Sequence, residues 1–409
     1  MSKSPTAKAT VKQNKQQILR YAHPFFTDIA PEKRKTIPGI GKQMTDYIST
    51  KLESIPLPQR EPTMSLDEII GNAGVTEIEN AKSIIFHAAG DTGHESGVMQ
   101  ELVAEAMSLD YNIHHPEKSP AFFLHLGDVN YYDNTDQGYQ AQFYIPYKKY
   151  PGKIIAIPGN HDGELYTWKG ISSGQKTTLD AFIRNFCQPK PAVPPAAGTI
   201  YREMISQPGV YWVLNTPFID IIGLYSNVAE GPGFISAPSI GKKQKDWLTK
   251  TLIRIKKTRK QNLRKALLLA VHHPPFSSGG HSSSVEMLKD IDDCCTKSEV
   301  FPDAVIAAHD HDYQRYTRFI SFKGKEVSIP YIVAGCGGHG LASGLKKADG
   351  SRTGDHTYDK CLLGYGYLLV TATNLHLTIE MIEVLQNQQG FQKQSFEKII
   401  VNLKTNGLG

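Results

Sequence analysis

Five apolar runs in this 409-residue chain each lead into a residue that can bind a metal ion. IIFHAAG leads into Asp91 of GDTG, FFLHLG into Asp128 of GDVNYY, and IIAIPG into Asn160-His161-Asp162 of GNHD. LLLAV leads into His272-His273, ahead of Pro274-Pro275, and AVIAA into His309-Asp310-His311. With Tyr131, three residues after Asp128, the set offers two carboxylates, an asparagine carbonyl, three imidazoles and a phenol, and no thiolate. Such oxygen and nitrogen donors suit a pair of hard or borderline transition ions such as Fe, Mn or Zn, and disfavour a structural zinc site of the cysteine type. Two neighbouring cations need a bridging anion, which an aspartate on a tight glycine turn can supply. The glycines before Asp91, Asp128 and Asn160 let the backbone turn sharply enough for the side chains to converge. Taken singly, a Gly-Asp after a strand is an ordinary turn, and GNHD, HHPP or HDH is ordinary loop polarity. The weight lies in all five occurring in order, each after an apolar run.

The elements that must position these residues are legible as alternating patterns from residue 81. KSIIFHAAG, AFFLHLGD, KIIAIPGN, ALLLAVHH and AVIAAHDH read as strands. ESGVMQELVAEAM, the polar stretch 137–148, the basic stretch 241–262 and a segment near 283–293 read as helices. VYWVLNTPFIDIIGLY reads as two strands joined by a turn, and residues 316–384 as an all-β run that includes VSIPYIVAG and LHLTIEMIEV. Alternating βα units followed by strands imply an α/β fold of layered sheets flanked by helices, and open α/β sheets bind ligands beyond the carboxyl ends of their strands. PAVPPAAG, 191–198, reads as a loop insertion. Residues 1–80 read as a polar, lysine-rich tail followed by a helical extension with MTDYISTKLESI and SLDEIIGNAG, and residues 81–409 as the catalytic domain.

Composition narrows the class. Hydrophobic residues make up 40% and charged residues 21%, as in a soluble globular chain. A formal charge of +5 tolerates an anionic substrate without demanding nucleic acid. No apolar run approaches the roughly 20 residues needed to cross a bilayer. The lysine-containing start has no apolar segment behind it, and the five cysteines include no CxxC, so a cytoplasmic setting with reduced thiols is expected. The stretch KTLIRIKKTRKQNLRK, 250–265, has two readings: a phosphate-backbone footprint, or the solvated face of an amphipathic helix whose apolar stripe is Trp247, Leu248, Leu252 and Ile255. The stripe favours the second, and makes a nucleic-acid partner the lesser expectation.

On these motifs the chain resembles the calcineurin-like metallophosphoesterases, and among them the purple acid phosphatases. That superfamily usually opens with Asp-x-His, but here Asp91-Thr92-Gly93 puts glycine in the histidine position. The purple acid phosphatase pattern opens with GDxG and restores the ligand with a tyrosine in GDxxY, which Gly127-Asp128-Val129-Asn130-Tyr131 matches. GNH[DE] matches Gly159 to Asp162; VxxH matches Leu269 to His272, with leucine first; GHxH matches Ala308 to His311, with alanine first. Both departures fall at backbone-shaping positions and remove no ligand. His281 matches a histidine found nine residues after the VxxH ligand in mammalian-type members. The similarity spans roughly residues 80–384 and leaves the first 80 unaccounted for.

The resemblance implies a four-layer α/β/β/α sandwich with two mixed sheets. It assigns Asp91, Tyr131 and His311 to a first metal, Asn160, His272 and His309 to a second, and Asp128 to the bridge between them. The first ion would be Fe(III), suited to a phenolate, and the second a divalent Fe, Zn or Mn. The implied reaction is cleavage of phosphomonoesters by direct attack of a metal-bound hydroxide, which requires no serine or cysteine nucleophile. His161 and His281 would serve the phosphate oxygens or the leaving group, and Asp162 and Asp310 would orient neighbouring imidazoles. Tyr132, His87, His125 and His273 are expected to be packing residues. The substrate would be a phosphorylated small molecule or a phosphoprotein. A phosphodiesterase on the same scaffold, and a metal-binding protein without turnover, are the alternatives; neither the leaving group nor the oligomeric state is readable.

Overall fold

The computed structural model describes residues 18–22, 49–93, 97–168, 171–261, 264–341, 344–405 and 407–408. The expected tail at 1–15 and MTDYISTKLESI through residue 48 lie outside the described residues. Two mixed sheets face one another. The nine-stranded sheet runs in the order β1 (Thr63–Ser65), β7 (Trp212–Asn215), β8 (Ile219–Leu224), β9 (Ala266–Val271), β10 (Ala304–Ala307), β12 (Lys325–Ala334), β11 (Tyr313–Phe322), β14 (His356–Leu362) and β13 (Arg352–Thr353). The seven-stranded sheet runs β18 (Gly407–Leu408), β17 (Gly390–Asn402), β16 (His376–Asn387), β15 (Gly366–Ala372), β2 (Ile84–Ala89), β3 (Phe122–His125) and β4 (Lys153–Ala156). A small hairpin, β5 (Thr167–Trp168) with β6 (Ile171–Ser172), stands apart.

Each sheet carries a parallel set: β2, β3 and β4 in one, and β8, β9, β10 and β12 in the other. Parallel strands buried on both faces should read as continuous apolar runs, as β9 and β10 do, whereas β12 becomes continuously apolar only from Ile329. Phe86, Leu124, Leu268, Ile306 and Leu368 fill the space between the sheets. The opposite face of β3 and β4, with Phe123 and Ile154, is covered by the helix Val98–Ser108 and an aromatic segment with Tyr139, Phe143 and Tyr147. The opposite face of β9 and β10 is covered by the helices Lys243–Gln261 and Val285–Ser298 through Leu248, Leu252, Met287 and Ile291. The result is the expected four-layer arrangement. In the basic helix Leu248, Leu252 and Ile255 are buried, so its apolar stripe packs on the sheet.

Residues assigned from the sequence to an N-terminal extension enter the same core. β1 pairs in parallel with β7, and the helix Asp67–Ala81 contributes Ile69, Ile70 and Ile78 to the space between the sheets. PAVPPAAG is a packed loop: Ala196 and Ala197 are buried in the aromatic cluster. All five cysteines are free thiols. No helix among the described residues is long and apolar enough to cross a membrane.

Candidate metal centre

The carboxyl ends of β2, β3 and β4 meet those of β9 and β10, and the turns that follow bond to one another. The Asp91 amide donates to Gly127 O (3.1 Å) and the Ala308 amide to His272 O (2.8 Å). The His272 ring reaches across, with Nδ1 2.9 Å from Leu126 O. These turns are tight: Asp91, Asp128 and His309 have φ of 53°, 54° and 70°, a region unfavourable to side chains that is occupied where a site demands it. At Gly127, φ is +101°, and a Cβ there would lie 2.6 Å from His272 Nδ1, so only glycine lets the two turns approach.

The structure brings all seven sequence-predicted metal-binding residues together. Tyr131 Oη lies 3.0 Å from Asp91 Oδ1 and 3.2 Å from His311 Nε2, and that nitrogen is 3.6 Å from Asp91 Oδ1. Next to this trio, His272 Nε2 lies 3.1 Å from Asn160 Oδ1 and 3.4 Å from Asp128 Oδ2. Asp128, His272 and His309 each offer a donor atom within 4.8 Å of the others. A hydrogen on His272 Nδ1 donated to Leu126 O leaves Nε2 as the lone-pair nitrogen facing the centre, the usual way an imidazole is set for a metal.

These groups fit a pair of cations on three counts. Asp91 and Asp128 are both buried, and among the described residues their ion-pair partners are histidines. Asp128 Oδ2 is buried without a hydrogen-bond partner among those residues, an orphan that a bridging role would satisfy. Taken as protein groups alone, Asp128 and His272 support one another: against burial, His272 and His161 hold the carboxyl low, and Asp128 and Asp91 raise the imidazole to about 9. Their neighbours are strained. Burial, and then the Asp128 charge, push the Asp91 carboxyl well above its ordinary range against the pull of His272. Burial, and then the Asp91 and Asp128 charges, push the Tyr131 phenol well up as well. Burial and the neighbouring histidines hold His309 and His311 well below theirs, as neutral imidazoles with lone pairs to offer. Positive charge between these donors relieves each strain.

Around the centre the positions sort further. At Gly93 a Cβ would lie 2.8 Å from Val129 O and 2.9 Å from Gln142 Oε1, so the histidine usual in that position has no room. Gln142 also grips the Tyr131 backbone, accepting from its amide at 3.0 Å and donating to its carbonyl at 3.0 Å. Gln142 sits in the π-helical segment Gln140–Tyr144, a wide turn that continues the short helix Asp136–Tyr139. His161 packs between Tyr131 and Tyr132, with ring centroids 4.5 and 5.2 Å away, so Tyr132 is packing directed at the site. The ring of His281 lies 4.1 Å from that of His309. His87, His125 and His273 are satisfied outside the donor set, by Asp110 and Tyr150, by Thr92, and by Ser226 and Ala229.

Asp162 holds backbone amides, and Asp310 a backbone amide together with the side chains of Ser277 and Gln314; neither holds the imidazoles expected from the sequence. Asp162 accepts the amides of Gly159 (2.8 Å) and Val129 (3.2 Å), tying the turn of Asn160 to that of Asp128, and burial with the Asp128 charge raises its carboxyl to about 7. Asp310 accepts the Ser277 hydroxyl and the Gly280 amide (2.9 Å), anchoring the loop that carries His281.

Three residues at the site were not singled out in the sequence. Glu164 Oε1 lies 2.7 Å from His161 Nδ1, and Glu230 Oε2 lies 2.9 Å from Asn160 Nδ2 and 3.9 Å from His161 Nε2. Burial works against a charged His161, but the carboxylates of Glu164, Asp128 and Glu230 raise its pKa well above the ordinary histidine value. His339 stacks on Tyr131 at 3.5 Å. Strand direction, which only the structure shows, accounts for two of these. Glu230 follows β8 and His339 follows β12, strands parallel to β9 and β10, so their loops emerge at the same edge.

A sequence comparison with curated proteins finds no significant match. Among solved structures, the chain is similar to GAP50, the anchor in the inner membrane complex of Plasmodium, with 12% identity and a TM-score of 0.51 over 80% of this chain and 91% of that one. It is also similar to PhoD (12% identity, TM-score 0.49, 87% of this chain and 73% of that one). A dimetal phosphatase from Danio rerio aligns at 10% identity and a TM-score of 0.40, over 77% of this chain and 99% of that one. At such an identity the match to GAP50 speaks for the fold alone, and the other two carry no argument. The family described as calcineurin-like phosphoesterase matches residues 85–313, more than half of the sequence and the whole span from β2 to the start of β11. With two sheets converging on a dinuclear set of donors, that match places the chain among the calcineurin-like phosphoesterases.

Proposed function

We propose that this protein is a metal-dependent phosphomonoesterase of the purple acid phosphatase type. The observation that carries the reading is the trio of Tyr131 Oη, Asp91 Oδ1 and His311 Nε2, mutually within 3.6 Å, beside a Gly93 with no room for the usual histidine. Asp91, Tyr131 and His311 would hold an Fe(III); Asn160, His272 and His309 would hold a divalent Fe, Zn or Mn; Asp128 would lie between them. When bound, such a pair supplies a water of lowered pKa and offsets charge on the phosphoryl oxygens.

The chain's own part is to orient and to donate protons. His161 and His281 flank the donors from two sides, placed to hydrogen-bond phosphoryl oxygens and to protonate a departing alkoxide. Glu164 holds His161 by Nδ1, and Tyr131 and Tyr132 fix the plane of its ring. Asp162 and Asp310 keep the turns and the His281 loop in place.

The test compares turnover of p-nitrophenyl phosphate with its bis-ester on metal-loaded protein. The reading predicts monoester preference. Diester preference would assign the site to phosphodiester cleavage, and no turnover with metals bound would make it a binding protein.

A further inference from the structure

The loop after β8 reaches the second metal position, and a segment near the N-terminus bonds to that loop. Glu230 Oε2 accepts from Asn160 Nδ2 at 2.9 Å, and the same amide presents Oδ1 to His272 Nε2 at 3.1 Å. Glu230 therefore decides which end of the amide faces the donors: with its carboxylate on the nitrogen side, the carbonyl must point inward. The backbone of the same loop acts on two histidines. Glu230 O lies 3.3 Å from His309 Nε2, a contact that puts the ring hydrogen on Nε2 and leaves Nδ1 for a cation. Ala229 O and Ser226 Oγ take the two ring nitrogens of His273, at 2.7 Å each, which holds the residue adjoining His272.

This loop is itself tied down from outside the family-matched span. Asn227 is fully buried with φ of 80°; its Oδ1 accepts the Glu53 amide at 2.9 Å and its Nδ2 donates to Glu53 O at 2.8 Å. The Gly231 amide donates to Ser49 O at 2.8 Å. Residues 49–53 thus bond to both flanks of Glu230, and a buried asparagine with its amide committed to one backbone segment fixes that segment closely.

We infer that the loop 226–231 is an orienting clamp for the second cation, with Glu230 as its positioning residue and the segment 49–53 as the strap that keeps it closed. The inference rests on the dinuclear reading above and extends it in two ways. It gives the N-terminal segment a task in the metal centre, and it makes the two metal positions unequal in their support. Loss of a group that orients a metal-binding side chain typically weakens metal affinity about 10- to 100-fold.

The experiment is a calorimetric titration of chelator-stripped protein with Zn²⁺, alongside the thermal midpoint of each metal-free variant. Wild-type protein is expected to take up two equivalents. Glu230→Ala is expected to weaken one equivalent about 10- to 100-fold and leave the other unchanged. Glu230→Gln, which keeps an oxygen for the Asn160 amide, is expected to recover part of that loss. Asn227→Ala, which leaves Glu230 in place, is expected to weaken the same equivalent by a smaller factor. Wild-type affinity for both equivalents in Glu230→Ala, or equal losses in the Gln and Ala variants, would overturn the clamp. Should Glu230→Ala fail to fold, Asn227→Ala decides, and two unchanged equivalents there would overturn it. Fewer than two equivalents in the wild type would instead undo the dinuclear reading on which it stands.

Discussion

Tyr131 and Gly93 are one feature divided between two turns. The phenol reaches Asp91 and His311 because Gln142 clamps its backbone, and the space a histidine would need at Gly93 is filled by Val129 O and Gln142 Oε1. A methyl group at this position must displace backbone or Gln142. Gly93→Ala is therefore expected to cost about 1–3 kcal/mol, read as a lower urea midpoint, and to weaken metal binding with it. An unchanged midpoint would mean that the turn yields freely. The pairing of GDTG with GDVNYY was legible in the sequence because both halves are short motifs at fixed spacing from strand ends. The partners of Asp162 and Asp310 were not legible, because which backbone amide a carboxylate meets depends on how the turns pack.

At the scale of elements, the parallel strands carry the donors, and the outer helices are fixed to the sheets by apolar stripes and by polar ties such as Asp292 with Arg318, one of those ties being a four-residue knot. That knot is Asp110, just past the helix Val98–Ser108, which meets His87 Nε2 of β2 at 3.0 Å, Tyr367 Oη of β15 at 2.6 Å and Lys393 of β17. Burial disfavours its charge, but His87, Lys393 and Tyr367 outweigh it and lower the carboxyl from 3.8 to about 2. A depressed folded-state pKa means stability that is fully present above 3.8 and lost as pH falls toward 2, because the unfolded chain takes up the proton first. Denaturation measured against pH should therefore show the wild-type advantage over Asp110→Asn flat at neutral pH and shrinking between about 4 and 2. An advantage that grew with acid would contradict the assignment. The strands and the major helices were readable from apolar period and length. The roles of β8 and β12 were not, since nothing in a strand's own sequence says that its neighbour runs parallel, and Glu230 and His339 went unseen for that reason.

Across the whole molecule, the two sheets are joined both by the core between them and by the turns at the metal centre. Ligands that bind only the folded state stabilise it by mass action, by about 2.7 kcal/mol at a hundredfold excess over Kd. Metal loading is thus expected to raise the thermal midpoint of the intact chain and chelation to lower it; a midpoint indifferent to both would speak against ions stitching the sheets together. Layered sheets flanked by helices followed from alternating βα units and a long all-β run, and the four-layer sandwich from the family resemblance. The membership of β1 and of the helix Asp67–Ala81 in that core did not, because three strand residues and a helix kinked at Gly71 carry little periodic signal. The central claim is that a tyrosine supplies the ligand that Gly93 cannot, and the visible spectrum of the iron-loaded protein tests it most directly. The account predicts a phenolate-to-Fe(III) charge-transfer band that disappears in Tyr131→Phe. A fully metallated, active protein without that band, or a band that survives the substitution, would contradict it.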